Sequence, residues 1–117
     1  MTISCEKLAG DIWIISSSGR LDHSLNPQLE QSLNDLLNEK QNRLIVDLSH
    51  SNYINSGGLR CLVTAWRQAR EQGGDLRICG LNNRMEEIFS LIGFDRVFSI
   101  HRTHEDARQA MVNESTI

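Results

Sequence analysis

Leu44-Ile45-Val46-Asp47-Leu48-Ser49-His50-Ser51-Asn52-Tyr53-Ile54-Asn55-Ser56-Gly57-Gly58-Leu59 is the stretch on which the fold turns. Its first five residues form a short, β-branched apolar run of the kind found in a strand buried on both faces. A polar loop follows. From Gly57 to about Gln72, Leu59, Leu62, Val63 and Trp66 recur at i, i+3, i+4 and i+7, one stripe of an amphipathic helix. Gly73-Gly74 stops that helix, and Leu76-Arg77-Ile78-Cys79 reads as the next strand. A strand-helix-strand unit of this kind crosses over with right-handed sense and pairs its strands in parallel. In an open α/β sheet, ligands collect beyond the carboxyl ends of the strands, which is where Ser56 falls. Ser56 reads as the N-cap of the helix. A phosphate added there meets free N–H groups and the positive end of the helix dipole.

Working outward, residues 3–8 and 11–18 read as two strands joined in a hairpin at Ala9-Gly10-Asp11. Asn26-Pro27 marks a helix start, with asparagine as cap and proline in the first turn, and Leu29, Leu33, Leu36 and Leu37 share one face. Residues 82–92 give a further helix through Met85, Ile88, Phe89 and Ile92, closed by Gly93. Val97-Phe98-Ser99-Ile100 reads as a last short strand. Thr103 with Asp106 forms a capping box opening a terminal helix with Ala107, Ala110 and Met111 inward. Residues 113–117 are expected to fray. The fold class is therefore α/β: a small mixed sheet around a parallel βαβ core, with about four packing helices. No repeat or linker divides residues 1–117, so they read as a single domain.

With 12 Lys and Arg against 15 Asp and Glu, the formal net charge is -3, and the cations are scattered along the chain. No basic patch offers itself to nucleic acid or to an acidic membrane, so protein partners are expected. No run is apolar and long enough to span a bilayer, and the first residues lack the pattern of a signal peptide, so the expected location is the cytoplasm. Cys5, Cys61 and Cys79 lack metal-binding or redox spacing and read as reduced, mostly buried apolar residues.

Catalytic chemistry finds little support. A nucleophile elbow needs glycine two residues before Ser56, where Ile54 stands. Gly57-Gly58 matches neither a P-loop nor a dinucleotide fingerprint. His101-x-x-His104 has no third ligand, so no metal site is expected and these histidines read as solvated. A small enzyme or phosphocarrier using His23, His50 or His101 is the reading from a different functional class. Asp22 reads locally as a turn residue, and Arg60, Thr64, Arg67 and Glu71 as a solvated helix face.

Taken together, Gly19-Arg20-Leu21-Asp22, the strand at residues 44–48, Tyr53-Ile54-Asn55-Ser56-Gly57-Gly58-Leu59, Gly73-Gly74 and Leu91-Ile92-Gly93-Phe94 carry a resemblance. In order and spacing the set resembles the stand-alone STAS domain of bacterial anti-sigma factor antagonists, from about residue 3 to residue 112. The resemblance implies a regulatory binding module in a partner-switching pathway, without catalytic activity or cofactor. Its unphosphorylated form binds an anti-sigma factor that is also a serine kinase of the histidine-kinase-like ATPase type. Phosphorylation ends that complex, and a PP2C-type phosphatase restores it. Ser56 matches the phosphorylated serine, and Asp22 matches the acidic residue near it. The implied partner surface comprises Asp22, Tyr53, Asn55, Ser56, Gly57, Gly58, Arg60, Thr64 and Arg67. The family usually reads Asp-Ser-Ser/Thr-Gly-Leu where this chain has Asn55-Ser56-Gly57-Gly58-Leu59. The alternative within the same fold is a scaffold subunit of a regulatory complex that is not phosphorylated.

Overall fold

The computed structural model of the protein describes residues 1–115. A hairpin of β1 (Thr2–Leu8) and β2 (Ile12–Ser18) leads to α1 (Asn26–Asn38), then to β3 (Arg43–His50), α2 (Ser56–Glu71) and β4 (Asp75–Cys79). The chain continues through α3 (Asn83–Leu91), a 3-10 turn (Phe94–Arg96), β5 (Ile100–His101) and α4 (His104–Ser115). The five strands lie in the order β1-β2-β3-β4-β5, antiparallel between β1 and β2 and parallel thereafter. The expected architecture is thus present, with the β3-α2-β4 unit at its centre.

The two-residue period of β3, with helices packed on both faces, explains the apolar run Leu44-Ile45-Val46 and Leu48. Leu44, Val46 and Leu48 join the larger core, where they meet Leu29, Leu33 and Leu37 of α1, Leu62, Ala65 and Ala69 of α2, and Phe89 of α3. Ile45 faces the other way, packing with Ile12, Ile14 and Cys79 against Ala107 and Met111 of α4. Helices therefore cover both faces of the sheet.

The helix α2 ends as its glycines require. Gly73, at a φ of 88°, supplies the left-handed residue. Its N–H donates to Arg70 O at 3.0 Å, and Gly74 N–H donates to Ala69 O at 2.8 Å, the paired bonds of a Schellman motif. Gly74 is needed for a second reason, since a Cβ there would lie 2.0 Å from Asn42 O.

Several expectations need correction. The buried face of α2 is centred on Gly58, Leu62, Ala65 and Ala69, whereas Leu59, Val63 and Trp66 on its flanks are half-buried. Three of the four fully covered positions are small residues, which an apolar count weighs lightly. Asn26 is not the cap of α1, because Leu25 holds that position without a side-chain bond. The last strand is Ile100–His101 rather than 97–100: Phe98 turns into the core against Trp66, Phe89 and Phe94, so tertiary packing overrides strand propensity. Ile92 lies past the end of α3 and is exposed, and Ala110 is half-buried. Residues 113–115 continue α4, while the expectation for 116 and 117 falls outside the described residues. Cys5 is exposed and Cys61 half-buried, leaving Cys79 as the buried thiol, its pKa pushed up to about 12 by desolvation and by Asp47. Half of the expected capping box is present, with Asp106 N–H donating to Thr103 Oγ1 at 3.1 Å.

Replacing Gly74 with alanine is expected to lower the unfolding free energy by about 2 kcal/mol, as overpacking against an immobile carbonyl does. Thermal melts should show a drop of several degrees; an unchanged midpoint would contradict the close approach.

Candidate functional site

Two loops beyond the carboxyl ends of β2 and β3 are tied edge to edge. Leu21 N–H donates to Tyr53 O at 2.9 Å, and Asn55 N–H donates to Leu21 O at 3.0 Å, so the pair Leu21 and Ile54 forms a short parallel bridge. Both side chains are buried, which anchors the bridge in the core. This register sets Asp22 level with Asn55, the residue before Ser56.

Asp22 is held by its own turn. The Ser24 hydroxyl donates to Asp22 Oδ1 at 2.7 Å and the Ser24 amide at 3.0 Å. Those two bonds, the hydroxyl's first, hold the carboxyl below the usual aspartate range and keep it ionised. On its other side, Arg20 Nε lies 3.7 Å from Asp22 Oδ2. The Arg20 guanidinium stacks on the Tyr53 ring, with its carbon 3.8 Å from the ring centroid.

Ser56 is exposed and is the first residue of α2, but it does not cap the helix. The cap is Asn55, whose extended backbone (φ -97°, ψ -178°) lets Oδ1 accept from Gly58 N–H at 3.0 Å. That same oxygen accepts from Asn26 Nδ2 at 2.8 Å, reaching across from the start of α1. Both residues satisfy the general preference for an N-cap, and the long-range bond to Asn26 decides between them. Ser56 Oγ makes no hydrogen bond among the described residues. The reactive-looking hydroxyl is therefore spare, while its neighbour carries the structural load.

The paired glycines serve this arrangement. A Cβ at Gly58 would meet Ile54 Cγ1 at 2.7 Å and Asn26 Oδ1 at 3.0 Å, and one at Gly57 would meet Asn26 Nδ2 at 3.1 Å. The Asn26 amide lies flat against the first turn of α2, in space that side chains would fill. Its Oδ1 is buried without a partner, so the bridge carries an unsatisfied acceptor.

The expected partner residues divide into two groups around Ser56. Gly57, Arg60 and Thr64 line a groove of about 370 Å³ between α1 and α2, together with His23, Cys61 and Glu30, of which Glu30 was not singled out by the sequence. Cys61 Sγ lies 3.8 Å from Glu30 Oε2, and burial together with that carboxylate pushes the thiol pKa up. Tyr53 opens on the opposite side, with Arg20. Arg67 is exposed farther along α2 and lines neither hollow.

The histidines do not assemble a catalytic group with Ser56. His50 Nδ1 lies 3.2 Å from Ser49 Oγ. His101 is half-buried rather than solvated, with Nε2 3.4 Å from an Arg77 nitrogen; burial first and Arg77 second lower its pKa. Among the described residues no cluster of three His, Cys, Asp or Glu side chains could hold a metal, and no helix is long and apolar enough to cross a membrane.

Residues 7–107 match the family model of the STAS domain. The chain belongs to the STAS domain family. BtrV of Bordetella bronchiseptica, which carries the name of an anti-sigma factor antagonist, is 29% identical over 110 residues, covering 94% of each chain. The crystal structure of an anti-sigma factor antagonist from Mycobacterium paratuberculosis superposes with a TM-score of 0.84 at 25% identity, over 94% of this chain and 92% of that one. The phosphorylated form of the Bacillus cell fate determinant SpoIIAA shares the fold, with a TM-score of 0.74 at 14% identity over 93% and 99% of the two chains. STAS membership thus accounts for the mixed sheet and its four helices.

The division of labour between Asn55 and Ser56 is directly testable. Asn55→Ala removes a cap and strands a buried donor on Asn26, and should cost about 2 to 3 kcal/mol in urea denaturation. Asn55→Asp keeps both bonds and should be as stable as the parent or better. Ser56→Ala should change stability by less than about 0.5 kcal/mol; a larger loss would restore Ser56 as the cap.

Proposed function

We propose that this STAS domain is an anti-sigma factor antagonist controlled by phosphorylation of Ser56. The observation that carries the reading is the spare, exposed hydroxyl of Ser56 on a loop fixed by the Leu21–Ile54 bridge and by Asn55. The names of the relatives support the same role, and SpoIIAA, which shares the fold, has been solved in unphosphorylated and phosphorylated forms.

In this reading the unphosphorylated domain docks an anti-sigma factor that is also a serine kinase, through Asp22, Tyr53, Asn55, Ser56, Gly57, Gly58, Arg60, Thr64 and Arg67. A phosphate on Ser56 adds about 1.5 to 2 negative charges. Within the chain its surroundings are tolerant. It sits at the positive end of a 16-residue helix, beside an uncharged Asn55. The negative charge of Asp22 is partly offset by Arg20, 3.7 Å away. The penalty therefore falls on the complex, where the phosphate must be desolvated against a surface fitted to a hydroxyl. A hundredfold loss of affinity takes only about 2.7 kcal/mol.

The departures at Asn55 and Gly57 act locally. Asn55 retains the capping oxygen that an aspartate would supply, and Gly57 removes a competing hydroxyl, leaving Ser56 as the acceptor. A PP2C-type phosphatase completes the cycle, and the proposed setting is a cytoplasmic pathway in which the chain acts without catalysis of its own.

The test is incubation with the cognate kinase and ATP followed by intact mass and peptide mapping, with calorimetry on variants. One phosphate on Ser56 is expected. Ser56→Asp should weaken partner binding by about a hundredfold, and Ser56→Ala should preserve it. No phosphate, with equal binding by both variants, would leave the unphosphorylated scaffold subunit in its place.

A further inference from the structure

The rim of the sheet on the Tyr53 side has a charge character unlike the rest of the molecule. Two adjoining hollows of about 550 and 470 Å³ open there and share Arg20, Asn52 and Asn82. Tyr53 and Arg84 complete the first; Ser18, Ser49, Ser51 and His50 help to line the second. No carboxylate lines either hollow. The groove between α1 and α2 contains Glu30, and the cavity at the opposite end of the strands contains Asp75 and Glu114. For a chain with 15 acidic residues against 12 basic ones, an acid-free rim runs against the composition.

Three of its polar groups, Asn82, Arg84 and Arg20, present donors. Asn82 Oδ1 is occupied by Met85 N–H at 2.8 Å, leaving its amide NH2 to donate. Arg84 is exposed in the first turn of α3 and makes no ion pair among the described residues. Arg20 is braced flat on Tyr53, which fixes its plane while leaving it exposed. Asp22, 3.7 Å from Arg20, is the carboxylate paired with it, and it belongs to the Ser56 surface, while Asp47 is engaged behind the second hollow by Ser49 N–H at 2.9 Å. Two guanidiniums and amide donors, one of the guanidiniums, Arg84, without an ion pair among the described residues, match carboxylates. Both arginines are exposed rather than enclosed, which suits an extended acidic segment better than a small ion held in a closed cavity.

We propose that this rim groove, built on Arg20 and Arg84, receives an acidic segment of the protein partner that covers Ser56. The inference rests on the docking role of the Ser56 surface and adds the chemistry of what docks. Tyr53 belongs to both the groove and the Ser56 loop, so the two surfaces are continuous. The sign of the switch follows: a phosphate on Ser56 places like charge beside the partner's carboxylates and competes with them for the guanidiniums.

Calorimetry and stopped-flow association with the purified anti-sigma factor test this, using Arg84→Glu, Arg84→Lys and, as a control, the exposed Arg102→Glu. Arg84→Glu should bind about tenfold more weakly at about 0.05 M salt, mostly through slower association, and the deficit should shrink at about 1 M salt. Arg84→Lys and Arg102→Glu should bind like the parent, and circular dichroism should show all variants folded. If Ser56→Asp weakens binding while Arg84→Glu does not, the acidic-segment inference falls and the docking reading stands. If both variants bind normally, both fall. If Arg84→Glu abolishes binding of inorganic phosphate but spares the partner, the groove belongs to a small anion and the inference is overturned.

Discussion

One side-chain oxygen, Asn55 Oδ1, holds the site together. It accepts from the first turn of α2 through Gly58 and from the start of α1 through Asn26, so three elements meet at one acceptor. The bond to Asn26 spans 29 residues of sequence and requires the bare backbone of Gly57 and Gly58 beneath the amide. Position, rigidity and freedom of Ser56 all follow from it. Because Asn55 caps the helix, Ser56 has no structural duty. Because the loop is pinned at both ends, its hydroxyl is offered from a defined place.

The sheet could be read from the sequence because strands buried on both faces leave nearly continuous apolar runs, as Leu44 to Leu48 does. The helix α2 was legible in extent and ending but rotated in its burial. Ala65 and Ala69 weigh little in an apolar pattern, yet both are buried in the larger core. Val97 to Ile100 misled for the opposite reason: a strand-like composition yields to the ring cluster of Trp66, Phe89, Phe94 and Phe98.

At the site, local rules placed the hydroxyl but not the cap. Asn55 and Ser56 are equally good capping residues, and the choice is made by Asn26, whose local role as a helix start concealed its long-range one. The acid-free groove was invisible for a related reason. Arg20, Asn52 and the neighbouring pair Asn82 and Arg84 come from three separate parts of the chain, and each alone reads as surface. Only the crossover topology gathers them beside Tyr53.

A charge switch needs a place where charge can be added without disturbing the core, and the geometry around Ser56 meets that requirement. The most direct measurement is a comparison of backbone amide NMR spectra and hydrogen exchange for the phosphorylated and unphosphorylated protein. The account predicts shift changes confined to residues 19–26 and 52–60, with exchange in β2, β3 and β4 unaltered. Changes spreading through the sheet, or loosening of α1 from α2, would show that phosphorylation acts by refolding and would contradict it.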